Sequence, residues 1–234
     1  GWGHMPVWGF ATVAQSAVEG VVEGERFYGY FPIAGFLRVR PDRVTDRGFY
    51  DGSEHRQGLP SPYNQYTRCS TDAAYVAELA DFQMLLRPLF FTSYMLADFL
   101  TDNDFFGARR LVFSSASSKT AYGTAFALSD GAPQTGGRPE RIGLTSEHHR
   151  EYVSDLGLYD QVLSYDQLAQ LDTGEPTLYV DFSGSDSLRD AVHRHFGAAL
   201  VYDCYAGSAT NTDFLDAERW PEPVPRFFFA PVQI

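Results

Sequence analysis

LVFSSASSKTAYG, Leu111 to Gly123, is the stretch on which the fold turns. An apolar strand, RLVFS from Arg110 to Ser114, runs into small polar residues, and a helix opens over Ser118 to Leu128. A strand, a short turn and a helix start aim unpaired backbone N–H groups and the positive end of the helix dipole at whatever fills the crevice, which favours a phosphate. Ser115, Ser117, Ser118 and Thr120 offer further donors, and Lys119, the only lysine in the chain, offers a point charge. The same letters also read as a plain serine N-cap followed by an exposed lysine.

Outward from this loop the chain alternates. Strands are expected at Arg141–Thr145, Gln161–Leu163, Thr177–Asp181, Ala199–Cys204 and Arg226–Ala230, with helices at Glu147–Leu156 and Ser185–Phe196. Strands that are apolar along their length and each followed by a helix imply a parallel sheet covered on both faces. The expectation is a doubly wound α/β domain with its ligand at the carboxyl ends of the strands. Upstream, Val7–Val13, Arg26–Phe31 and Gly35–Val39 read as short strands, Thr45–Arg68 as a long loop, and Ala73–Tyr94 as a helix broken near Pro88. The chain starts at Gly1 rather than Met, and its last strand lacks a covering helix, so truncation at both ends is expected.

Two phosphate chemistries compete for the loop. Ser115, Ser118 and Ala121 stand at the spacing of the three small residues of a dinucleotide turn, though without glycine, the residue that takes φ > 0 without strain. Lys119-Thr120 matches the end of a nucleoside-triphosphate loop, with Asp181 as its metal carboxylate, but Phe113 and Ser118 occupy that loop's glycine positions. The dinucleotide reading is the better fit. Thr145 and Ser146 end the second strand where an NAD site has a carboxylate, and Arg150 follows, so NADP is expected over NAD, with Glu147 as the residue that opposes it.

Thirty acidic against eighteen basic residues give a net charge of −12, which argues against nucleic-acid or membrane-surface partners. No window approaches the ~20 apolar residues of a membrane span, and Cys69 and Cys204 read as buried thiols of a cytoplasmic protein. Adjacent His148 and His149, and His193 with His195, diverge on a helix, so no metal site is expected.

The strings PVWGFATV, GERFYGYFP, YNQYTR, NDFFGA, SSASSKTA and FFFAP, in this order, resemble the medium-chain dehydrogenase/reductase superfamily. Within it, the chain is most similar to the domain of unknown function 2855 family. That resemblance implies part of a GroES-like β domain over residues 1–84 and a Rossmann domain over 85–234, with substrate and nicotinamide meeting between them. It matches Ser115, Ser118 and Ala121 to the pyrophosphate loop, Thr145 and Ser146 to the adenosine ribose, Asp181–Gly184 to the nicotinamide ribose, and Phe229-Ala230 to the strand end beside the nicotinamide. The zinc-dependent branch has Gly-His-Glu where this chain has Gly9-Phe10-Ala11, so the resemblance is to zinc-independent quinone and enoyl reductases.

Hydride transfer to an enone or quinone needs a proton source and donors for the developing oxyanion. In YNQYTR, Tyr66 is the expected proton donor and Asn64 the residue that orients the carbonyl, although both also suit a capped polar loop. The expected activity is NADP-dependent oxidoreduction of a small enone, quinone or carbonyl compound by a chain that can pair as a homodimer. A redox-silent dinucleotide-binding module and a P-loop-like nucleotide hydrolase are the alternatives.

Overall fold

A computed structural model describes residues 5–129, 137–207, 216 and 219–233. The chain forms two compact units, one running to Pro88 and the other from Leu89 to Gln233.

The first unit holds β1 (Pro6–Thr12), β2 (Arg26–Pro32), β3 (Pro41–Thr45), β4 (Gly48–Asp51) and β5 (Gln65–Arg68). They pair antiparallel in the order β1-β2-β5-β4-β3. Two expectations are corrected. Gly35–Val39 is irregular, and the third strand starts at Pro41 instead. The presumed loop Thr45–Arg68 carries β4, β5 and α1 (Ser61–Asn64), a single turn. Its Gly, Pro, Asp and Asn residues hide the period of two, yet Phe49 and Tyr66 are buried with Val21 and Phe27 as the core of this unit. Gly48, at φ +134°, permits the return, because a Cβ there would collide with the Tyr66 carbonyl. On the opposite face Trp8 lies across from Tyr30, and Phe10 across from Tyr28.

Helix α2 (Ala80–Asp102) starts in the first unit and ends in the second. The expected break at Pro88 is absent. A proline removes one rung of the ladder, and the apolar face beyond it, with Leu96 and Leu100 fully buried, carries the helix on. The second unit then runs β6 (Arg110–Phe113), α3 (Lys119–Ser129), β7 (Glu140–Thr145), α4 (Arg150–Asp155), β8 (Gln161–Ser164), β9 (Thr177–Asp181), α5 (Asp186–Phe196), β10 (Leu200–Tyr205) and β11 (Arg226–Phe227). The last strand is two residues long, shorter than expected, because a helical turn opens at Ala230.

These six strands are parallel, in the order β11-β10-β9-β6-β7-β8. Counted from β6, that is the doubly wound order 3-2-1-4-5-6 of dinucleotide-binding sheets. Alternation sorts the two faces. Leu111, Phe113, Leu178 and Val180 pack with Leu96, Leu100, Ala121 and Ala125, while Val112 and Tyr179 pack with Ile142, Leu144, Val192 and Phe196. The expected α/β architecture, with both sheet faces covered, is thus present.

Candidate functional site

The order reverses between β6 and β9, and the loop from Ser114 to Ser118 leaves the carboxyl end of β6 at that reversal. Its backbone is tied to both neighbours, with Ser114 N–H donating to the Val180 carbonyl (3.0 Å) and Ala116 N–H to that of Leu144 (2.9 Å). Ser115 adopts φ +48°, the left-handed conformation that a glycine would take without strain. For a serine this costs about 1–2 kcal/mol, met here by the surrounding bonds. Ser118 N–H closes the turn on the Ser115 carbonyl (2.7 Å), and Ser118 Oγ accepts from Ala121 N–H (3.3 Å) as the cap of α3. The N–H groups of Lys119 and Thr120, in the first helical turn, have no intrahelical acceptor. Cap and anion-facing helix start are therefore features of one loop. Lys119 is exposed, while Ser115, Ser117, Ser118 and Thr120 are half-buried.

Beneath the loop lies a knot of buried polar atoms. Ser114, fully buried, donates to Asp181 Oδ1 (2.6 Å) and accepts from the N–H groups of Phe182 (2.9 Å) and Ser183 (3.1 Å). Asp181 Oδ1 also accepts from Tyr179 hydroxyl (3.2 Å), Ser183 N–H (2.9 Å), Ser183 Oγ (2.8 Å) and Gly184 N–H (3.1 Å), while Oδ2 pairs with Arg189. Asp181 was expected to face a ribose or, in the hydrolase reading, a metal; both assignments are corrected. Its carboxylate has no exposed surface and instead shapes the turn that lies beside the loop. Ser114 was not expected at the site, because in RLVFS it reads as a strand end. A small polar residue closing an apolar strand next to the turn was the signal.

At the end of β7, Thr145 is buried and Ser146 bonds His149 Nδ1 through its hydroxyl (2.9 Å). Arg150 lies a turn further on, its guanidinium paired with Glu147 at 2.8 Å, both side chains largely exposed. The negative charge that would oppose a 2′-phosphate is thus matched by the cation that would attract one. After β8, Tyr165 brings its hydroxyl to Ser115, a contact that sequence reasoning missed. Burial pushes this phenol up, and hydrogen bonds from Ser115 pull it partly back. Phe229, past β11, is half-buried, its ring 6.0 Å from that of Phe227.

The two expected catalytic residues lie in the first unit. Tyr66 is 1% exposed, stacks on Phe49 (5.1 Å) and donates its hydroxyl to the Tyr30 carbonyl (3.2 Å). Burial lifts its phenol to about 12, against a lowering by Arg56. A proton donor must reach substrate, and this ring fills a core; that assignment is corrected. Asn64 is held in a two-way pair with Arg56, accepting from Nε (3.1 Å) and donating to the backbone carbonyl (3.0 Å). Arg56 in turn pairs with Asp51, so Asn64 secures the turn that contains it. Among the described residues no three His, Cys, Asp or Glu side chains gather as a metal site, and no helix is long and apolar enough to cross a membrane.

The family model described as "Protein of unknown function (DUF2855)" matches residues 1–234. No curated protein sequence matches the chain. Among solved structures it is similar to a thermostable alcohol dehydrogenase from Pyrobaculum aerophilum, at 14% identity and TM-score 0.46, over 90% of this chain and 61% of that one. A mutant form of enoyl thioester reductase from Candida tropicalis gives 10% identity and TM-score 0.46, over 97% of this chain and 62% of that one. The D-arabinose dehydrogenase from Sulfolobus solfataricus gives 15% and 0.41, over 82% and 71%. The chain spans about three fifths of the length of the first two.

Proposed function

The chain belongs to the family described as protein of unknown function (DUF2855), and from that premise we propose that it is a zinc-independent oxidoreductase that uses NADP and a small enone, quinone or carbonyl substrate. One observation carries the reading: the 3-2-1-4-5-6 sheet places a loop whose helix-start N–H groups have no intrahelical acceptor at the carboxyl end of its first strand, where the order reverses. The donor set suits a pyrophosphate. Lys119 and Thr120 N–H groups would bind its oxygens, the serine hydroxyls would orient it, and the Lys119 ammonium would add charge. Preference for NADP is supported by the Thr145-Ser146 strand end and by the pairing of Glu147 with Arg150. When bound, the nicotinamide would supply or accept the hydride; the residues named here hold the phosphates and keep the loop in shape.

A second reading, a redox-silent dinucleotide-binding module, is favoured by the commitment of Tyr66 and Asn64 to packing within the first unit. Calorimetric titration of NADPH, with NADH and Mg-ATP in parallel, tests both. Binding of NADPH in preference to the others is expected, and Lys119→Ala should weaken it roughly tenfold, the worth of one charge-assisted contact. Tighter NADH binding removes the Thr145-Ser146 argument. NADPH binding without turnover of any enone, quinone or carbonyl compound selects the silent module.

A further inference from the structure

The turn that follows β7 is built on a period of three. His149 N–H donates to the Ser146 carbonyl (2.9 Å) and Arg150 N–H to that of Glu147, so a turn of 3-10 type leads into α4. In such a turn side chains three apart eclipse one another, and here they pair in two columns. Ser146 Oγ lies 2.9 Å from His149 Nδ1, while Arg150 Nε and Nη2 lie 3.0 and 2.8 Å from the same oxygen of Glu147. Thr145 beneath them is buried, so half-buried Ser146 is the hydroxyl that this strand end presents. His149 is exposed, its ring met edge-on by that of His148 at 5.0 Å.

The imidazole decides what Ser146 can offer. A serine hydroxyl has one proton to give and two lone pairs. Where Nδ1 bears no proton, Ser146 commits its own to the ring and shows only lone pairs outward. Where Nδ1 bears a proton, it donates to Oγ and leaves the hydroxyl proton for a ligand. The end of the second strand is where the adenosine ribose of a dinucleotide lies. The 2′-hydroxyl of NAD both donates and accepts, so either state of Ser146 serves it. The ionised 2′-phosphate of NADP has acceptor oxygens alone.

We propose that His149 is the positioning residue that fits Ser146 to NADP: its Nδ1–H donates to Ser146 Oγ, and the Ser146 hydroxyl donates in turn to the 2′-phosphate. Hydrogen bonds in such a chain strengthen one another, and the outer one is charge-assisted. Arg150 supplies the opposite charge, because an exposed pair such as Glu147–Arg150 contributes little and is exchanged at small cost. The inference rests on the dinucleotide reading above and adds to it the side chain that selects the phosphate.

Imidazole-nitrogen spectra of the native chain saturated with NADPH report which ring nitrogen carries a proton. Nδ1 of His149 is expected to carry one, whether or not Nε2 does as well, and a bare Nδ1 in that complex overturns the proposal. Calorimetric affinities give the second readout. His149→Leu should weaken NADPH roughly fivefold, the worth of one hydrogen bond, and leave NADH within a factor of about two. His149→Asn, whose amide can donate from the same place, should bring NADPH back to within a factor of about two of the native chain. Ser146→Ala should weaken NADPH roughly tenfold and make a further His149→Leu substitution silent. A His149→Leu effect that persists without the serine puts His149 on the ligand directly and refutes the relay. If NADPH binds and the His149 variants match the native chain, the inference fails and the dinucleotide reading stands. If NADPH does not bind the native chain, that reading fails and the inference with it.

Discussion

Ser114→Ala probes the link between the loop after β6 and the sheet that carries it. The side chain is completely buried, and its one oxygen makes three bonds. Loss of the donor to the Asp181 carboxylate removes a charge-assisted bond worth about 1.5–3 kcal/mol. Ser183 N–H retains Asp181 Oδ1 as an acceptor, but Phe182 N–H is left buried, which costs about 1–3 kcal/mol more. Because Asp181 keeps its other donors and Arg189, the lower half of that sum applies, about 3 kcal/mol. Amide hydrogen exchange over β6 and β9 reads this unit by itself. Protection should fall roughly a hundredfold, the equivalent of that energy. Ser117→Ala, in the same loop but half-buried and without a side-chain hydrogen bond among the described residues, is the control and should stay within a factor of about two, since surface changes are usually within ±0.5 kcal/mol. If the two variants lose protection equally, the knot does not hold β6 to β9 and the account of the crevice floor is wrong.

Two further substitutions test packing and role. Gly123→Ala would set a Cβ 2.6 Å from Ser93 Oγ, where α3 lies against α2; overpacking of about 2 kcal/mol outweighs the helix-propensity gain of about 1. The melting temperature should fall by less in a Ser93→Ala background than in the native one, and strict additivity would show that the two helices give way without strain. Tyr66→Phe removes the bond to the Tyr30 carbonyl and should cost about 1 kcal/mol in urea unfolding. Any reductase turnover should persist at the native rate, and a hundredfold fall in kcat would return Tyr66 to the role of proton donor.

What could be read directly from the sequence, and what could not, follows from how far apart the interacting residues lie in the chain. β6 and β9 are buried at every position because both faces of a parallel sheet are covered, so the apolar runs LVF in RLVFS and LYV in TLYVD declare themselves locally. The turn after β6 is equally local: small residues, a serine cap and a helix start are contiguous. In the first unit, by contrast, β4 and β5 are four residues each, set among glycine, proline and asparagine, and what makes them strands is pairing across the sheet, Phe49 beside Tyr66. Tyr66 read as a functional tyrosine for the same reason, since nothing within six residues reveals that Phe31 and Phe49 enclose it.

Asp181 shows why the site was harder to read than the fold. A carboxylate ending an apolar strand has the same local spelling whether it faces a ribose or a guanidinium. The partners that decide between the two, Ser114 and Arg189, lie on either side of it in the chain, one in the loop after β6 and the other on α5. A ligand-facing carboxylate must keep an oxygen free, whereas here both oxygens are taken by protein donors. The loop passes the same test in the other direction, because its helix-start N–H groups lack intrahelical acceptors by the geometry of the helix itself. Counting donors against acceptors, residue by residue, therefore separates the side chains that hold the crevice in shape from the backbone groups left over to bind what enters it.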